Sequence, residues 1–244
     1  EPRYGGLTLA GRIRLSGGYP LEASGQLSPR WLMEKGWAPL QVTLGGEVAR
    51  LELQALSRGA YVANLSGVVR PLLPDLPYNA SLDWSDHDFP WLTAYQIRSS
   101  SGRIQVIGDK TGLRSRGEAR LASAFTPPAD YQWRFATDWH SIDFESLKIN
   151  GLGGEINADG EVSWQSGLAW SLSGRLAGID ASRHWPSARS VLPVLNGSLT
   201  SKGSSRPQGS AVTLGVRLSG GEQWQFDNRS SGVLWDPAAQ HRAV

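Results

Sequence analysis

Residues Leu152–Gln165 read LGGEINADGEVSWQ. From Ile156 the stretch alternates: Ile156, Ala158, Gly160, Val162 and Trp164 point to one side of an extended chain, and Asn157, Asp159, Glu161 and Ser163 to the other. A strand with one apolar and one polar face belongs to an antiparallel sheet that is dry on one side and wet on the other. The same period runs through Leu7–Leu15, Leu21–Leu27, Leu40–Leu44, Tyr61–Val69, Tyr78–Trp84, Arg103–Ile107, Arg114–Leu121 and Tyr131–Trp139. It returns around Trp170, and again in Leu195–Thr200, Val212–Leu218 and Gln223–Phe226. Roughly fifteen strands at a spacing near ten residues predict an all-β chain. No long helices alternate with them, which disfavours a parallel sheet.

Punctuation supports the count. Gly17-Gly18, Asp86 to Trp91 and Ser166-Gly167 mark turns or loops, and RPLLPDLP (70–77) and Pro127-Pro128 interrupt the pattern. Residues 1–235 are expected to form one continuous segment, with a break near 71–77 or 126–130, and 236–244 a frayed, disordered tail. One or two short helices are expected. Ser28–Gly36 reads as one, with Ser28 as cap, Pro29 at the first position and Gly36 at the end; the other falls within Ala181–Pro193. A hairpin through Ser166-Gly167 is expected to bring Trp164 near Trp170.

Composition narrows the function. The 244 residues carry 24 basic and 22 acidic side chains, a net charge of +2, with no Lys/Arg cluster, so a nucleic-acid partner is not expected. Cysteine is absent, which removes disulfides and thiolate chemistry. No apolar run is long enough for a transmembrane helix. The chain begins EPRYGG and reads as a piece of something longer, with any signal or anchor outside it. Asp86-His87-Asp88 lacks a second histidine at ligand spacing, so no metal is expected, and no P-loop, dinucleotide motif or nucleophile elbow occurs. No cofactor, catalytic residue or enzymatic activity is expected. Asn64, Asn79, Asn196 and Asn228 open Asn-x-Ser sequences, read as turn residues rather than glycosylation sites. Arg114, Arg116 and Arg120, interrupted by Glu118, read as a solvated strand face.

What remains is the apolar face, together with 11 tryptophans and 29 glycines. Soluble monomers rarely leave a large apolar patch open. The face can close as a β-sandwich that binds carbohydrate or protein, close as an outer-membrane barrel, or curl into a trough for an apolar ligand. Open sheet edges also allow a scaffold for nascent outer-membrane strands.

Residues Leu147–Trp164, LKINGLGGEINADGEVSW, are followed by Leu168–Leu172 (LAWSL) and Gly178-Ile179-Asp180. This series resembles the TamB branch of the AsmA-like family, in which such segments recur along a very long β-rich chain. Gly102–Gly108 (GRIQVIG) and Leu195–Gly203 (LNGSLTSKG) are further echoes, and the resemblance is strongest over residues 78–203. It implies an elongated, strongly curled antiparallel sheet forming a hydrophobic groove, a β-taco, that carries phospholipid acyl chains across the periplasm of a Gram-negative bacterium. It further implies an inner-membrane anchor and an outer-membrane barrel partner, TamA, for outer-membrane protein assembly. Both the anchor and the domain that meets the barrel would lie outside this internal segment. The expected groove lining is Leu7, Leu9, Ile13, Leu15, Val42, Leu44, Leu82, Trp84, Ile104, Val106, Trp133, Phe135, Ile156, Val162, Trp164, Trp170, Leu172, Leu176, Val212, Leu214, Val216 and Leu218.

Overall fold

The computed structural model describes residues 5–15, 17–34, 36–59, 61–88, 97–123, 126–187, 194–206, 209–220 and 224–235. The chain divides into two units, Glu1–Pro128 and Ala129–Val244. The first holds β1 (Gly5–Ile13), β2 (Leu21–Pro29), β3 (Leu40–Glu47), β4 (Arg50–Arg58), β5 (Val62–Val69), β6 (Tyr78–Asp88), β7 (Arg98–Asp109) and β8 (Gly112–Ala122). The second holds β9 (Ala129–Thr137), β10 (Ser141–Gly151), β11 (Gly154–Ser163), β12 (Leu168–Ile179), β13 (Leu195–Arg206), β14 (Gly209–Gly220) and β15 (Trp224–Trp235). Within each unit the strand order is the chain order and every pair is antiparallel. Each unit is therefore a simple meander, which short polar turns between amphipathic strands produce directly.

Neither unit has a sealed interior. The buried apolar side chains among the described residues are Leu32, Ala55, Ala63, Ala119, Ala129 and Ile179, mostly alanines. Strands pack on their chain neighbours, and the short helix α1 (Arg30–Met33) packs on β1 and β2. Within each unit the described residues form one sheet layer, so neither unit is by itself a sandwich. No described pairing joins β8 to β1 or β15 to β9, so neither unit closes on itself as a barrel.

Several local expectations need correction. Ser28 lies in β2 opposite Gly6, and Pro29, in extended conformation, is the residue that caps α1, without a side-chain hydrogen bond. The helix is a single turn, because β2 pairing holds the backbone extended up to Pro29. Gly36 does end it: the Gly36 amide donates to the Met33 carbonyl (3.0 Å) and the Trp37 amide to the Leu32 carbonyl (3.1 Å), the paired bonds of a Schellman motif. The strand β10 is absent from the sequence reading because a bulge breaks its alternation. Phe144 faces Phe135 and Gly160, but the next residue on that face is Leu147, opposite Trp133 and Ala158. Irregularities also occur in β7 at Ser99/Ser101, in β12 at Leu176/Ile179 and in β14 at Ser210/Ala211. Asn64, Asn79, Asn196 and Asn228 lie within strands rather than in turns, since pairing with a neighbouring strand outweighs their turn preference. The loop 70–77 joins β5 to β6 inside the first unit, where Val69 still pairs with Tyr78. Residues 236–244 lie outside the described residues.

Candidate functional site

Directly opposed residues of an antiparallel pair project from the same face, so the register shows which side chains share it. In the first unit Leu7 faces Leu27, Leu9 faces Gly25 and Ile13 faces Leu21. Val42 lies between Gly25 and Ala55, and Leu44 between Ala23 and Leu53. Ala55 continues to Leu65, Leu65 to Leu82 and Leu82 to Ile104, while Val106 faces Ala80. In the second unit Trp133 faces Leu147 and Phe135 faces Phe144, their phenyl rings tilted at 6.0 Å. Ile142 leads to Val162 and Trp170, Ile149 to Ile156 and Leu176, and Gly160 faces Leu172. Leu214 faces Ser201, Val216 faces Leu199, Leu218 faces Gly197 and Val212 faces Gly203.

Twenty of the expected lining residues thus fall on one continuous apolar face in their own unit. Leu15 and Trp164 lie just past the ends of β1 and β11, and Leu15 is 83% exposed. The expected Trp164–Trp170 pair is not a direct cross-strand pair: Val162 is the residue opposite Trp170. The Trp164 indole N–H donates instead to the Trp139 carbonyl (3.0 Å). Sequence reading missed the β10 contribution (Ile142, Phe144, Leu147, Ile149), and its missing signal is the change of phase at Glu145.

Two tryptophans on this face share one arrangement. Trp84 faces Gly102 and Trp170 faces Gly203 across the sheet. A Cβ built on Gly102 would lie 2.6 Å from Trp84 Cη2, and one on Gly203 2.6 Å from Trp170 Cη2, so each ring occupies the space above a glycine. Trp84 Nε1–H donates to Ser99 Oγ (2.8 Å) and Trp170 Nε1–H to Ser201 Oγ (2.9 Å). Ser99 is 1% exposed and donates its own proton toward the Ser101 or Arg120 carbonyl (3.0 and 3.1 Å).

The opposite face carries the charge. Arg103 pairs with Asp83, and Lys148 and Asn157 both bond Glu155. Arg116 Nε–H donates to Gln105 Oε1 (2.6 Å), and Arg114, Arg116, Glu118 and Arg120 are all exposed. The side-chain bond to Lys148, then that to Asn157, hold the Glu155 carboxyl below its ordinary pKa, and the bond to Asp83 raises that of Arg103. Hollows on this face are open, such as one of about 420 Å³ beside Glu161, Ser171, Lys202 and Thr213. Among the described residues no group of three His, Asp or Glu side chains could hold a metal ion.

Comparison with known proteins places the sequence. The family model described as "TamB, N-terminal domain" matches residues 2–221. The translocation and assembly module subunit TamB of Haemophilus influenzae (strain Rd) is 22% identical over 225 residues, covering 88% of this chain and 17% of that protein. The chain therefore spans only a small part of the length of this curated relative. No solved structure matches it. A repeated one-sided strand pattern, one apolar face per meander and a family match over nearly the whole length converge: the chain belongs to the TamB family.

Proposed function

We propose that the apolar faces of this chain hold phospholipid acyl chains in transit between the inner and outer membranes of a Gram-negative bacterium. The observation that carries this reading is the continuous apolar face of each unit, which no second layer covers among the described residues. Burial yields about 0.8 kcal/mol per CH₂ group, so such a face holds hydrocarbon without any specific contact. A uniform stripe on successive strands also offers many weak, similar sites, which transit requires.

In this reading each meander curls with its apolar side inward. Ile104 and Ile107 support it: they share β7, yet Ile107 on the polar face is 68% exposed while Ile104 is half-buried. Side chains that converge on a concave face shield one another. Bulges in β7, β10 and β12 add the local twist that curling needs.

The relative's name extends the proposal. The whole protein works in a translocation and assembly module, spans the periplasm from an inner-membrane anchor, and meets an outer-membrane barrel of the TamA kind through regions outside this chain. It is not an enzyme. A second role, as a scaffold for nascent outer-membrane strands, is favoured by β1, whose nine residues are all exposed and whose outer edge has no described partner.

The test is extraction of the purified protein with organic solvent, followed by mass spectrometry. Phospholipid is expected to accompany the protein through purification. A preparation with no more lipid than a compact protein handled in parallel overturns the reading.

A further inference from the structure

We propose that Trp84 and Trp170 are contact platforms on the lipid path, and that Gly102 and Gly203 hold these rings flat and so set the clearance above the face. This rests on the acyl-chain reading and adds to it the residues that grip the chain and the part of the lipid they accept. The same three-part geometry stands in both units: a tryptophan, a glycine directly across the sheet, and a serine that accepts the indole N–H. An indole has a single donor. With that donor bonded to Ser99 or Ser201, the ring presents an apolar surface to whatever lies above it. Such a surface suits a methylene chain and gives a polar headgroup nothing to bond, so these platforms select the hydrocarbon part of the lipid.

Each glycine has a separate task. Any Cβ at Gly102 or Gly203 collides with the indole of the opposing tryptophan, and at Gly203 it also comes within 2.8 Å of the Ala211 carbonyl oxygen. The ring then has to leave its place above the strand and rise into the space the acyl chain uses. A methyl group on the floor therefore acts as an obstruction above it, and removing the ring relieves the obstruction.

The test uses the full-length protein in living cells, with a photo-crosslinking residue at Leu172, two positions from Trp170 on the same face, and phospholipid adducts as the readout. Gly203→Ala is expected to cut the adduct about fivefold or more. The double variant Gly203→Ala/Trp170→Leu is expected to recover about half or more of the lost adduct, although it carries one more substitution and keeps the contact with the Ala211 carbonyl. Gly102→Ala, read by a crosslinker at Leu82 with Trp84→Leu as its rescue, repeats the test in the other unit if Gly203→Ala fails to accumulate. An unchanged adduct in the glycine variants, or a double variant no better than the single one, overturns the proposal while the lipid reading stands. No adduct in the parent at either position overturns both.

Discussion

Ser99 and Ser201 are hydroxyls on largely apolar faces, and each accepts an indole N–H. Ser99→Ala leaves the Trp84 donor without that acceptor beside a nearly inaccessible site, a change that costs about 1–3 kcal/mol. Denaturant unfolding should show the unfolding free energy falling by that amount, while Ser101→Ala, at an exposed position on the same strand, stays within about 0.5 kcal/mol of the parent. Equal unfolding free energies for the two variants would remove the Ser99 bond as a source of stability. The residues of this station are ordinary in the sequence. Trp84 and Gly102 are far apart in the chain, and only the β6–β7 register places one over the other. The same holds for Trp170 and Gly203.

At the scale of the element, aspartates organise the hairpin turns. Asp138, between β9 and β10, accepts the backbone N–H groups of His140 (2.9 Å) and Ser141 (2.7 Å). These bonds, that to His140 first, hold its carboxyl below the usual pKa. Asp109, the last residue of β7, is lowered chiefly by the Thr111 hydroxyl and then by the Thr111 amide. Because both folded values are depressed, their contribution is complete above the ordinary aspartate range near about 4 and fades as the pH falls through the lower folded values. Hydrogen exchange at the His140, Ser141 and Thr111 amides should therefore stay protected down to that range and accelerate below it. Asp138→Ala should make the His140 and Ser141 amides exchange fast at every pH, and unchanged protection there would refute the assignment. Turn chemistry of this kind is local, and glycine-bearing pairs such as Gly17-Gly18 and Ser166-Gly167 announce their turns in the sequence, but the Asp138–His140 turn does not, because the apolar alternation of β9 runs on to Trp139. The Gly151–Gly154 turn, with Leu152 and Gly153 both at positive φ (52° and 77°), is a second exception. Leucine is a poor signal for a turn that needs left-handed backbone.

For the whole molecule, the central question is whether the apolar faces are surface or core. Val162→Asp and Leu172→Asp place a charge on the face, and Ile107→Asp places one on the opposite side of a sheet. If the faces stay open, all three variants should remain folded, within about 2 kcal/mol of the parent. Only the first two should lose co-purified phospholipid. Collapse of the fold in Val162→Asp and Leu172→Asp alone, seen by circular dichroism, would mean that these positions are sealed core.

The sequence by itself determined the all-β class, the near count of strands, some of the turns and the identity of most residues on the apolar face. These follow from period-two alternation and turn chemistry, which act within a few residues. Tertiary structure alone decided the rest. It placed β10 in the sheet, because a bulge at Glu145 breaks the alternation that reveals a strand. It arranged the described residues of each unit in a single layer, since nothing in an alternating pattern states what covers its dry side. It set each tryptophan over a glycine and beside a serine, because cross-strand register joins residues that local sequence cannot relate.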